Sequence, residues 1–142
     1  MARAAHGDLG QITAADCIIA MSTSGKSREA LEMLEMARSF TRRGLPVFMH
    51  PTVPCGADLM GMADYQLSAS IGFPFDSTMA VSRMIFDGFF ERYPNLKLIV
   101  AHGGGTLPFL AGRLDRCWEI LPSCRVHLKQ PPSEVLKRLY AD

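Results

Sequence analysis

Short apolar runs, partly β-branched, alternate with stretches of helical spacing along this chain, and that alternation constrains the fold more than any other feature. Asp16 to Ser22 (DCIIAMS) reads as a strand that runs into the polar turn Thr23-Ser24-Gly25-Lys26. A helix follows, for which Ser27 is a suitable cap, Glu29 suits the positive end of the dipole, and Leu31, Leu34, Ala37 and Phe40 recur at helical spacing before Gly44. Leu45 to His50 (LPVFMH) reads as a second strand, which gives a β-α-β unit expected to be parallel and right-handed. Pro51 to Gly61 carries two prolines and two glycines and reads as loop. Ala63 to Ala69 is expected to be a short helix and Ile71 to Asp76 a turn. Ser77 to Tyr93 reads as one longer helix on the spacing of Met79, Val81, Met84, Ile85 and Phe89. Lys97 to His102 (KLIVAH) is the third strand and Leu107 to Ile120 the next helix. Arg125 to Leu128 is a weak fourth strand, and Ser133 can cap a last helix to Tyr140.

The resulting order, β-α-β-α-β-α-β-α, predicts an α/β fold with a parallel sheet covered by helices. Two architectures satisfy it, a partial (β/α) barrel and an open doubly wound sheet, and periodicity alone does not separate them. A complete eight-stranded barrel takes about 250 residues, so the 142 residues of this chain hold half of one. Because 48% of the residues are hydrophobic, one compact unit with a single core is expected.

Charge and hydropathy exclude several function classes. Fifteen Lys and Arg against fourteen Asp and Glu leave a formal charge of +1, without a block of like charge to grip nucleic acid or an acidic membrane. No apolar run approaches the roughly 20 residues needed to span a bilayer, and Met1 to Gly10 has polar breaks where a signal peptide needs an apolar segment. A cytoplasmic protein with a small-molecule ligand or a protein partner is therefore expected. Cys17, Cys55, Cys117 and Cys124 lack CxxC spacing and read as free or buried thiols rather than a zinc finger or a disulfide framework.

Two positions stand out for chemistry. His50 and His102 each end a predicted parallel strand, on the sheet edge where ligands bind in either architecture. A neutral imidazole there can ligate a metal or shuttle a proton, against the plainer reading of a hydrogen-bonded structural residue. His6 lies in the polar start, and His127, alternating with Val126 and Leu128, is expected to face away from the apolar side. No HxH pair exists. Asp58, Asp64, Asp76 and Asp115 are the carboxylates nearest in sequence, and Asp76 and Asp115 read as helix caps or arginine partners. A second local signal is the loop Ser22-Thr23-Ser24-Gly25-Lys26-Ser27. Its hydroxyls, glycine turn and following helix N-terminus suit a phosphate as well as they suit a capped turn.

Four segments resemble the amidohydrolase-related, metal-dependent decarboxylases of the aminocarboxymuconate-semialdehyde and resorcylate type: PVFMHP (Pro46 to Pro51), IGFPFDST (Ile71 to Thr78), FERYPNLKLIVAHGGGTLPFLAGRLD (Phe90 to Asp115) and KQPPSEVLKRLYAD (Lys129 to Asp142). The resemblance covers about residues 45–142. It implies a distorted (β/α) barrel with a divalent metal, usually zinc, that decarboxylates or hydrolyses small carboxylic acids. His50 matches that family's metal-ligand histidine and His102 its catalytic histidine. The family's N-terminal HxH ligands have no counterpart, and its later aspartate ligand falls after the last residue, so an incomplete ligand set is expected.

Residues 5–37 are similar instead to the sugar isomerase domain of phosphosugar isomerases, through HGDLGQIT, ADCIIAMSTSGKS and REALEMLEMAR. That resemblance implies a phosphosugar held by Ser22, Thr23, Ser24 and Ser27. The chain thus reads as two segments, 1–44 and 45–142, joined in one compact unit as a chimera of two α/β folds. The alternative function is a phosphosugar-binding or non-catalytic module. Exposed strand edges of a partial barrel further predict a homo-oligomer.

Overall fold

Each strand of the sheet is added at the same edge as the chain proceeds. In the computed structural model, which describes residues 18–22 and 41–142, the strands are β1 (Ile18–Ser22), β2 (Pro46–Pro51), β3 (Lys97–Val100) and β4 (Tyr140–Ala141). They are hydrogen-bonded in the order β1-β2-β3-β4 and every pair is parallel. A doubly wound sheet reverses its direction of growth at a switch point. This sheet does not, so of the two architectures allowed by the sequence it has the winding of a barrel arc.

Alternation along the strands sorts their side chains onto two faces. Val47 and Met49 of β2 and Leu98 and Val100 of β3 are buried in one cluster with Val81, Ile85, Phe89 and Phe90 from the helices. Complete burial of side chains such as Leu98, Val81 and Ile85 stabilises the unit by about 1.5–3 kcal/mol each. Phe48 and Ile99 point the other way and are half-buried, while Tyr140, in register with Ile99, is exposed. This second face is the one a closed barrel turns inward.

The helices are α1 (Phe73–Phe86), α2 (Phe89–Arg92), α3 (Leu107–Ile120) and α4 (Pro132–Leu136). The third has the expected bounds. Where one helix was expected over Ser77 to Tyr93, there are two, because Gly88 takes a left-handed φ of 69° and packs so close to the next segment that a Cβ would lie 2.7 Å from the His127 carbonyl oxygen. The expected turn at Ile71 to Asp76 is already helix from Phe73, since Pro74 sits in the first turn, where its fixed φ suits a helix and its missing N–H costs nothing. Before it, Ala63 to Ala69 forms not a regular helix but a 3-10 turn at Asp64–Gln66 that leads into a π-turn at Ser68–Gly72.

Residues Arg125 to Leu128 are not a strand. Only Leu128 of that run is buried, so there is no sheet face for the alternation to serve. The fourth strand is instead Tyr140–Ala141, which begins at the last residue of the expected final helix, and that helix is shortened to Pro132–Leu136. Cys55, Cys117 and Cys124 are free thiols, as expected. Among the described residues no helix is long and apolar enough to cross a membrane.

Candidate functional site

Met49 pairs with Val100 in the register of β2 and β3, and the Ala101 N–H donates to the Met49 carbonyl at 3.1 Å, so the two strand ends finish level. His50 lies within β2, while His102 lies just past β3, and their ring centroids are 5.0 Å apart. The sequence placed both at one sheet edge, and the fold brings them into contact. His50 is half-buried and His102 exposed.

The ring Nδ1 of His50 is 2.8 Å from the Pro51 carbonyl oxygen, an atom that can only accept, so Nδ1 carries a proton and, in the neutral ring, Nε2 keeps the lone pair. Fixing one ring nitrogen on a backbone carbonyl in this way orients the other for a metal or a proton. Phe73, the first residue of α1, completes a cluster of three rings. It stacks on His102 at 5.7 Å with an interplanar angle of 25° and meets His50 edge-on at 6.1 Å.

Past β3 the backbone turns left-handed for four residues, with φ values of 58° at His102, 63° at Gly103, 78° at Gly104 and 65° at Gly105. Three glycines tolerate this at no steric cost; His102 does not, and its strained backbone aims the ring at His50. The turn is held by the Gly105 N–H on the His102 carbonyl at 3.0 Å and by the Gly103 N–H on Asp142 Oδ1 at 3.0 Å. Asp142 follows β4, so a third strand end contributes to the same edge of the sheet.

Of the carboxylates singled out from the sequence, Asp76 is buried and accepts the Thr52 N–H at 3.2 Å through Oδ2. It therefore serves the loop after His50 rather than an arginine. Asp115 accepts the Ser133 N–H at 2.8 Å in the first turn of α4, the capping role expected of it. Asp58, Asp64 and His127 are exposed in turns or bends. The backbone of Ser22 pairs beside Pro51 at the end of β1, whereas Thr23, Ser24, Ser27 and His6 lie outside the described residues.

Among the described residues no group of three or more His, Cys, Asp or Glu stands together as a metal cage. The two imidazoles supply two nitrogen donors, where a catalytic zinc site takes three protein ligands. Phe73 and Asp142 were not named as site residues from the sequence. Phe73 belongs to the IGFPFDST segment between the two histidines and Asp142 ends the KRLYAD segment, and neither residue type announces a role without the contact.

A model of the family described as Amidohydrolase matches residues 22–134. A 2-amino-3-carboxymuconate-6-semialdehyde decarboxylase from Dictyostelium discoideum is 33% identical over 125 residues, which are 87% of this chain and 34% of the relative. The crystal structure of Metarhizium anisopliae IDCase in apo form has 31% identity and a TM-score of 0.70, over 87% of this chain and 36% of that one. A 5-carboxyvanillate decarboxylase from Novosphingobium aromaticivorans, solved with bound manganese and 3-methoxy-4-hydroxy-5-nitrobenzoic acid, has 26% identity and a TM-score of 0.63, over 73% of this chain and 32% of that one. The chain thus spans about a third of the length of the proteins it matches. These matches also correct the reading of the first segment: the family match begins at residue 22 and crosses the stretch likened to a sugar isomerase, and the isomerase resemblance has no support.

Proposed function

The chain belongs to the amidohydrolase family, and on that footing we propose that it serves a metal-dependent, non-oxidative decarboxylation of a small carboxylic acid, with His50 as a metal ligand and His102 as the catalytic residue that handles the proton. The observation that carries this reading is the pair of strand-end imidazoles 5.0 Å apart, one of them fixed through Nδ1 so that Nε2 is free. A bound divalent cation would hold the substrate carboxylate and offset its charge.

The rest falls to the chain's own side chains. Loss of carbon dioxide breaks a carbon–carbon bond and leaves the electron pair on the substrate carbon, which must gain a proton. His102, exposed and stacked on Phe73, presents an imidazole for that delivery. Phe73 adds an apolar wall beside the two histidines, suited to a ring-bearing acid. His50 then accounts for one donor, and the remaining ligands would come from outside the described residues or from a partner copy. β1 and β4 stand at the edges of the described sheet, and pairing of such edges between copies is the form of homo-oligomer we include in the proposal, checked by sedimentation equilibrium.

Manganese is bound in one similar decarboxylase, while the sequence resemblance pointed to zinc; titrating the chain with each distinguishes them. The decisive experiment compares His50→Ala with His102→Asn. Loss of stoichiometric metal is expected for the first. For the second, metal is retained while any decarboxylation of a hydroxybenzoate or aminomuconate-type acid falls about a hundredfold or more, the usual contribution of a general acid or base. Metal binding untouched by His50→Ala would sink the assignment.

A further inference from the structure

One helix reaches both histidine-bearing loops through two neighbouring buried polar residues. Asp76, 5% exposed, accepts the N–H of Thr52, two positions after His50, although the pair lies 24 residues apart in sequence. Thr78, 6% exposed, works on the other loop. Its hydroxyl donates to the Pro74 carbonyl at 2.6 Å and accepts the Thr106 N–H at 2.9 Å. The Thr106 hydroxyl also lies 2.9 Å from Thr78 Oγ1, and since the single proton of Thr78 is committed to Pro74, Thr106 must be the donor there. One hydroxyl thus donates once and accepts twice, which exhausts its capacity.

Backbone closeness seals the same junction. A Cβ on Gly105 would stand 2.6 Å from the Pro74 carbonyl oxygen and 2.7 Å from Thr78 Oγ1, so the glycine loop is pressed directly against the first turn of α1. Residues two apart on a helix point to different sides, and Asp76 and Thr78 use this to face different loops. Phe73, at the start of the same helix, packs on both rings. Farther along α1, Val81 and Ile85 anchor it in the apolar core, so its first turns are set by packing before any ligand arrives.

We propose that Asp76 and Thr78 are positioning residues that use α1 as a rigid spacer to set the separation and aim of His50 and His102. The idea rests on the two-histidine reading above but makes a claim of its own about geometry in the metal-free protein. Asp76 governs the His50 loop and Thr78 the His102 loop.

The test uses the full 142-residue chain with Thr78→Val, which keeps the shape and removes the hydroxyl, Thr78→Ser, which restores it, and Asp76→Ala. Three readouts are taken: NMR resonances of the two imidazoles, amide exchange at Thr52 and Thr106, and manganese affinity. In Thr78→Val the His102 ring protons, which sit in the ring current of Phe73, are expected to shift and the Thr106 amide to exchange faster. Manganese affinity should stay unchanged in that variant and fall about tenfold to a hundredfold in Asp76→Ala, the usual loss when a residue supporting a metal ligand is removed. Thr78→Ser should restore the His102 and Thr106 signals, and Asp76→Ala should move His50 and Thr52 instead. Unchanged His102 and Thr106 signals in folded Thr78→Val would overturn the proposal. If that variant does not fold, Thr106→Ala, which removes one of the three bonds, takes its place under the same criterion. A wild-type chain that binds no manganese would defeat the metal reading alone, because the ring and amide signals still judge the spacer.

Discussion

The two strand exits bring equivalent side chains to one place by opposite means. At the end of β2, His50 is in ordinary extended backbone, and its ring is tied to the carbonyl of the next residue. At the end of β3, His102 is in left-handed backbone that a histidine adopts only at a cost, and the turn is secured by groups from α1 and from beyond β4. The first exit is locally determined and the second is imposed from outside. A strained residue persists only where its surroundings over-determine it, so the second exit should be the one whose stability and chemistry conflict.

The sharpest way to break this contrast is inside the glycine turn. Gly105→Ala combines the left-handed penalty of about 1–2 kcal/mol with overpacking of about 1–3 kcal/mol, because the new methyl would meet Pro74 and Thr78 at under 3 Å. A loss of about 3 kcal/mol in urea unfolding is expected. Gly103→Ala has the same sign of φ with nothing within 4 Å of the added carbon, so it should cost only about 1 kcal/mol. Equal losses would show that conformation alone, and not docking on α1, governs the turn.

Exchanging each histidine for glycine sharpens the comparison, since unequal losses are expected. His50→Gly removes a half-buried ring from a strand and adds chain entropy to the unfolded state, for a loss of about 1–2 kcal/mol. His102→Gly relieves about 1–2 kcal/mol of left-handed strain, forfeits about 0.5–1 kcal/mol of ring packing and adds the same chain entropy of about 0.5–1 kcal/mol to the unfolded state. These terms nearly cancel, so almost unchanged stability is expected together with lost activity. Thermal unfolding of the two variants side by side checks this, and equal destabilisation would remove the distinction between the exits.

Local signals in the sequence reached the first exit better than the second. The apolar run and the terminal histidine placed β2 and His50 to within a residue, and the helix at Leu107–Ile120, set off by the three glycines before it, has the bounds expected of it. Level strand ends followed once parallel pairing was assumed. By contrast, the work of Asp76 and Thr78 depends on partners 24 and 28 residues away, and no local pattern announces such contacts. Pro74 looked like a turn because proline at a helix start and proline in a loop are the same letter. The two-residue strand Tyr140–Ala141 is too short for alternation to register, whereas Val126-His127-Leu128 alternates without a sheet to receive it.

The smallest expected effect concerns the third strand end. Asp142 accepts the Gly103 N–H at 3.0 Å, yet both residues are exposed, so water can replace the carboxylate when it is removed. Asp142→Ala should therefore change stability by no more than about 0.5 kcal/mol, while Asp142→Asn, which keeps an acceptor oxygen, should change it less. The informative measurement is exchange of the Gly103 amide, expected to quicken in the alanine variant and not in the asparagine one. If Asp142→Ala instead shifted the His102 ring as far as Thr78→Val does, control of the second exit would be shared between β4 and α1, and the helix would no longer suffice to explain where His102 points.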